Sequence, residues 1–239
     1  MSATIQSTVG QWVLEQPGLA RVFEKLGIDY CCGGKKPLEV ACRAKGLDPA
    51  TVLAVLDASQ GAPNKGPADV SNLSLTELAD HIETTHHAYV KTELPRLQPL
   101  IERIARKHSD KNPLISQLPT VFSAFRSDME AHMAKEEQVL FPLIRKLDRG
   151  EANASCACGT IENPIKVMEI EHQHAGNALE LMRKLTDNFT TPEGACNTYR
   201  GVMYSLAELE ADMHQHVHKE NNVLFPRAAK AAMAVPAVA

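Results

Sequence analysis

The chain has 239 residues, 44% hydrophobic and 23% charged, with a formal net charge of −4. That length suits one large domain, or a large domain with a small one. Its basic residues do not cluster, which excludes the electrostatic footprint of a nucleic-acid or acidic-membrane binder. No apolar run approaches a membrane span, and MSATIQSTVGQW has no basic start followed by an apolar segment, so a soluble, cytoplasmic protein with no membrane partner is expected. Aromatics make up only 5% and strand-like alternation is missing, so the expected fold is all-α. Six cysteines are too sparse for a disulfide scaffold and read as reduced, metal-binding or redox-active thiols.

In chain order, residues 1–58 read as a small N-terminal domain of short helices. QWVLEQ is one, and LARVFEKLG, with Gly27 at its C-terminus, is the next. LEVACRAKG repeats the device with Gly46, and Asp48-Pro49 opens another helix as N-cap and first-turn proline. Residues 59–72 are Gly-, Pro- and Ser-rich, a linker by composition. From 73 to 235 the helices are long. The first starts at the capping box Ser74-Leu75-Thr76-Glu77 and runs to about Lys107. The second runs from about Pro119 to Leu147, and the third from Asn163-Pro164 to about Asn188. The fourth is expected to start at Thr191-Pro192. Four such helices with mostly short connections predict an up-down-up-down bundle. Pro95 and Pro142 lie inside helical patterns and predict local bends.

One phrase is written twice: HMAKEEQVLFP from His132 and HVHKENNVLFP from His216. Apolar spacings of three and four put His132 and Glu136 on the seam of Phe122, Phe125, Met129 and Leu140. His216 and Glu220 fall likewise among Val202, Leu206, Leu209, Met213 and Leu224. His172 interrupts the seam of the third helix and His87 that of the first. Nearly equal stretches of chain separate His87 from His132 and His172 from His216, so the bundle reads as two similar hairpins. Each hairpin carries one His on its first helix and His-x-x-x-Glu on its second. Buried carboxylates and imidazoles are costly unless partnered. Four His and two Glu at one level would offset that cost by ligating metal. With Glu136 and Glu220 bridging two ions and two terminal His on each, every metal has four protein donors. An oxo or hydroxo bridge makes five and leaves a position for a small ligand. Mixed imidazole and carboxylate donors in a bundle core suit iron or manganese.

The remaining polar residues read more plainly. His86 lies on a neighbouring face, His214 and His218 share a face with Glu210 and are expected to be solvated, and His81 and His108 read as surface or structural. Asp128 and Glu171 are either supports or proton carriers for the ligands, or ordinary solvated carboxylates. In DYCCGG, Cys31 and Cys32 are expected on a tight, exposed turn. Such thiols bind metal, attack a disulfide, pair with each other, or simply fill a minor core. Cys156 and Cys158 lie between the second and third long helices, as an iron chelate, as half of a zinc site with Cys31 and Cys32, or incidentally. Cys42 and Cys196 read as core residues.

DYCCGG, the short helical N-terminal domain and the doubled H-x-x-K-E-x-x-x-L-F-P together resemble the Repair of Iron Centres family over nearly the whole chain, about Val9 to Ala229. NPIKVMEIEH and HKENNVLFPRA extend the likeness. The resemblance implies a hemerythrin-like four-helix bundle with a di-iron site of four His and two bridging Glu. These fall on His87, His132, His172, His216, Glu136 and Glu220, and the motif thiols fall on Cys31 and Cys32. It further implies repair of iron–sulfur clusters damaged by nitric oxide or peroxide, with iron–sulfur proteins as clients. The di-iron site would act as iron source, redox centre or both, and the two thiols would handle iron or electrons. Enzymatic reduction of nitric oxide, and O2 or nitric oxide storage or sensing, are the alternatives. A homodimer is compatible with this reading.

Overall fold

A computed structural model of the chain describes residues 3–59, 70, 72–110, 112–151 and 160–234. The expected linker lies almost wholly outside the described residues, as do Cys156 and Cys158. Among the described residues the architecture is all-α, with a single isolated bridge between Thr8 and Pro37. No described helix is long and apolar enough to cross a membrane.

Two compact units divide the chain. The first comprises Met1–Ala79, Ile144–Ser155 and His214–Ala239; the second comprises Asp80–Leu143 and Cys156–Met213.

The first unit opens with α1 (Val9–Glu15), α2 (Ala20–Leu26), α3 (Leu38–Ala44) and α4 (Pro49–Ser59). Thr8 caps α1 by accepting from the Gln11 amide, and Gly27 ends α2 at φ 65, a left-handed conformation that a side chain would strain. Asp48 caps α4, its Oδ2 accepting from the Thr51 amide at 2.9 Å. These helices bury Trp12, Phe23, Tyr30, Leu38 and Leu56 in one core. The capping box forms as its sequence requires: the Glu77 amide donates to Ser74 Oγ at 3.1 Å, and the Ser74 amide to Glu77 Oε2 at 2.8 Å. It starts α5 (Leu75–Ile82).

The second unit holds most of the long helices. They are α6 (Ala88–His108), α7 (Leu118–Lys135), α9 (Glu162–Leu185) and most of α10 (Asn197–Lys219); α8 (Phe141–Asp148) and α11 (Phe225–Ala234) complete the chain. In the second unit α7 packs on both α6 and α9. The seam residues Val90, Leu94, Ile101, Phe122, Phe125, Met168, Leu179, Val202 and Leu209 are buried as their spacing predicts.

Three departures from expectation are informative. The fourth long helix starts at Asn197 and not at Thr191. Asp187, Asn188 and Phe189 take left-handed φ values of 48, 57 and 56, and Gly194 follows at 73, so the chain turns twice before it can re-enter a helix. Pro95 sits inside α6, which remains α-helical through it. Near Pro142 the irregularity takes the form of a π turn over Glu136–Leu140, with a second over Glu220–Leu224 before Pro226 and a third over Glu83–His87. In the first two, Phe141 and Phe225 donate back to the carbonyls of Glu136 and Glu220, one residue further than an α-helix allows. A proline directly afterwards has no amide to continue the α pattern, which favours the wider turn.

Candidate metal centre

His87, Glu136 and Glu220 lie within the three π turns, where a helix widens by one residue and can re-aim a side chain. In the second unit, His87, His132, Glu136 and His172 are all 0–2% exposed. His87 Nε2 and His132 Nε2 each stand 3.3 Å from Glu136 Oε2, and His132 Nε2 stands 3.1 Å from His172 Nε2. In the first unit, His216 Nε2 lies 3.0 Å from Glu220 Oε1, both fully buried.

The outer ring nitrogens fix the chemistry. His87 Nδ1 bonds Glu137 Oε1 at 2.8 Å, and His132 Nδ1 bonds Glu171 Oε2 at 2.9 Å. Burial acts to raise both carboxyls, but bonds from Lys91 and His87 to Glu137, and from Lys135 and His132 to Glu171, outweigh it and hold both below the usual range. Ionised carboxylates only accept, so each Nδ1 carries its proton, and Nε2, the ring atom nearest Glu136, is the one left to ligate a metal. A neutral ring presents a lone pair there, and a cation offsets lone pairs gathered about a buried carboxylate. Carboxylate–histidine pairs of this kind are the supports that orient metal-ligating imidazoles. His132, Glu136 and His172 offer ligand atoms within 4.8 Å of one another. The residues present fit a cation.

Glu171 therefore serves His132 on the neighbouring helix, and not the His172 beside it. Asp128 is exposed. Glu137 carries no mark in the sequence beyond its place directly after Glu136. His86 is buried in a separate pair, its Nδ1 2.8 Å from Asp212 Oδ1.

The thiol motif departs from expectation. Cys31 is buried and Cys32 half-buried, so the turn is not an exposed one. Asp29 organises it: Oδ1 accepts from the Cys31 amide at 2.9 Å and from Cys31 Sγ at 3.1 Å, and Oδ2 accepts from the Gly33 amide at 2.8 Å. The two sulfurs are 4.0 Å apart. The bond with Cys32, followed by burial and the nearby Asp29 charge, holds the Cys31 thiol well above its ordinary value.

His218, expected in solvent, is buried against this motif. Its ring meets the Tyr30 ring edge-on at 5.5 Å, and its Nδ1 bonds the Tyr30 carbonyl at 3.3 Å. Burial first, with Lys219 adding to it against the pull of that carbonyl, lowers it to about 4. His214 is half-buried, 6.0 Å from the same tyrosine ring. Cys42 is buried as expected, but Cys196 is exposed beside His108.

A helical bundle whose seam carries carboxylate-pinned histidines and buried glutamates defines a hemerythrin-type cation-binding protein. Residues 78–228 match the hemerythrin HHE cation binding domain, and residues 5–60 match ScdA_N, a domain of unknown function. The chain is 38% identical over 220 residues to the iron–sulfur cluster repair protein YtfE of Enterobacter sp. (strain 638), covering 92% of this chain and 95% of that one. The protein of the same name from Yersinia pseudotuberculosis serotype O:1b (strain IP 31758) is 36% identical, covering 92% and 96%. That of Yersinia pestis (strain Pestoides F) is 35% identical over the same shares. The chain belongs to this family of YtfE-type iron–sulfur cluster repair proteins.

Proposed function

We propose that this chain restores damaged iron–sulfur clusters, drawing on two iron ions ligated terminally by His87, His132, His172 and His216 and bridged by Glu136 and Glu220. The observation that carries the reading is the convergence of His87 Nε2 and His132 Nε2 on Glu136 Oε2 while carboxylates hold their Nδ1 protons. His216 and Glu220 repeat the His-x-x-x-Glu pair of His132 and Glu136 on the equivalent helix. The names of the relatives supply the repair role.

Iron bound there would supply a labile ferrous store and a redox pair. The protein residues tune it. Two buried glutamates offset part of the metal charge, and Glu137 and Glu171 raise the basicity of the imidazoles they hold. The apolar seam above and below excludes bulk water, which slows unproductive loss of the ions. Clients are iron–sulfur proteins, and nitric oxide or O2 fit the ligand position left open.

The test is direct. Iron-loaded protein is mixed with a client enzyme whose cluster has been damaged by nitric oxide, and client activity is followed. Recovery above an iron-free control is expected; recovery equal to that control overturns the reading.

A further inference from the structure

We infer that Asp29, Cys31 and Cys32 form a second, separate metal site, which binds one thiophilic divalent ion, ferrous iron or zinc, in an open three-donor arrangement. The inference rests on the repair reading only for its purpose, which is to pass an ion between the bundle and a client; the site itself stands on its own geometry.

One carboxylate oxygen and two sulfurs lie within 4.8 Å of one another. Sulfurs bound at about 2.3 Å to a tetrahedral ion sit roughly 3.8 Å apart, close to the 4.0 Å found between Cys31 and Cys32. Asp29 Oδ1 is already 3.1 Å from Cys31 Sγ, so the donors need only small rotations to share an ion. The scaffold is fixed from outside the cluster. Asn222 Nδ2 donates to the Cys31 carbonyl at 3.2 Å, and the Gly10 amide donates to the Gly34 carbonyl at 2.8 Å. Gly34 has no room for a side chain, because a Cβ there would stand 2.4 Å from the Tyr30 carbonyl.

Cys31 Sγ donates to Asp29 Oδ1 at 3.1 Å, and an arriving cation takes the place of that shared proton. Each S–H bond breaks as an S–metal bond forms, both protons leave to solvent, and no electrons are transferred. Three protein donors, one of them exposed Asp29 and one half-buried Cys32, leave a coordination position toward solvent. Closed structural sites fill all four positions; an open one exchanges its ion with an incoming ligand. A client thiolate can enter that position.

The experiment titrates full-length iron-loaded protein with Co(II), whose thiolate charge-transfer absorption reports sulfur ligation and whose visible bands report geometry. Expected is saturation at one Co(II) per chain with thiolate absorption and no release of iron. The double variant Cys31→Ser/Cys32→Ser loses the absorption, Asp29→Asn weakens binding by about tenfold or more, and Cys156→Ser/Cys158→Ser leaves it unchanged. Circular dichroism and retained iron show that each variant is folded. Absorption that survives in the Cys31/Cys32 variant, or that vanishes in the Cys156/Cys158 variant, overturns the assignment, as does the absence of thiolate absorption in the unaltered protein. Client reactivation is measured apart from this titration, so failure of one does not imply failure of the other.

Discussion

Asn222 Nδ2 donates to the backbone carbonyl of Cys31 at 3.2 Å, and Asn222 stands in the same π turn as Glu220, two residues further on. The helix turn that carries a proposed bridging ligand thus also holds the thiol loop. The doubled phrase explains how. HMAKEEQVLFP and HVHKENNVLFP agree at the His, Lys and Glu and at Val-Leu-Phe-Pro, and they differ at Met133/Val217, Ala134/His218, Glu137/Asn221 and Gln138/Asn222. In the first copy Glu137 supports a histidine; in the second, His218 and Asn222 meet Tyr30 and Cys31.

Asn222→Ala should loosen the loop and leave the bundle intact. The change removes donors to two backbone carbonyls, Tyr30 and Cys31, in a partly buried place, at a cost of about 1–2 kcal/mol. Native-state alkylation of Cys31 should accelerate several-fold while iron content stays at the level of the unaltered protein. An unchanged alkylation rate would mean that other contacts fix the loop.

Gly34→Ala should be harsher, because a Cβ at that position meets the Tyr30 carbonyl at 2.4 Å and Asn222 Oδ1 at 2.7 Å. Backbone must move to make room, and a cost of about 1–3 kcal/mol is expected. Thermal unfolding should shift down by several degrees. Gly27→Ala faces no neighbour within 4 Å and is strained only by its positive φ, so it should cost less, about 1 kcal/mol.

Asp148→Ala tests a cap supplied from a distant part of the chain. Asp148 accepts from the amides of Leu75 at 3.3 Å and Thr76 at 3.0 Å, at the start of α5. Burial pulls its pKa up, but the hydrogen bonds from Thr76, Ser74 and Leu75 prevail and leave it below the ordinary carboxyl value. A depressed folded-state pKa contributes stability that is present above about pH 4 and fades as pH falls through the folded value. The variant should lose about 0.5–1 kcal/mol at neutral pH, after discounting for solvent screening. Its deficit should shrink below pH 4, as measured by denaturant unfolding across the acid range.

The residues brought together in the second unit, His87, His132, Glu136 and His172, were visible in the sequence because a polar residue in an apolar stripe of helical period stands out. The π turns were not, since a single wider turn leaves no periodic mark; Pro142 and Pro226, each six residues past a glutamate, were the only trace. The burial of His218 is not legible from its own helix face. Its partner Tyr30 lies far away in sequence, and neighbouring Glu210 is itself buried, paired with Arg183. Thr191-Pro192 has the chemistry of a helix start, but three left-handed residues before it and Gly194 after it commit the chain to turns.

Glu137 offers a graded test of how the imidazoles are held. Its Oε1 accepts from His87 Nδ1, and Lys91 Nζ donates to the same oxygen at 2.6 Å. Glu137→Gln keeps an oxygen for Nδ1 and removes the charge, whereas Glu137→Ala removes both. Loss of such a support lowers metal affinity about tenfold or more. Iron loss to a competing chelator should therefore rank Ala fastest, Gln intermediate and Glu slowest, with helical content unchanged. Lys91→Ala should be weaker still, because it leaves the Nδ1 acceptor in place and removes only an exposed ion pair. If the Gln and Ala variants held iron equally well, the carboxylate would be packing beside His87 and not tuning it.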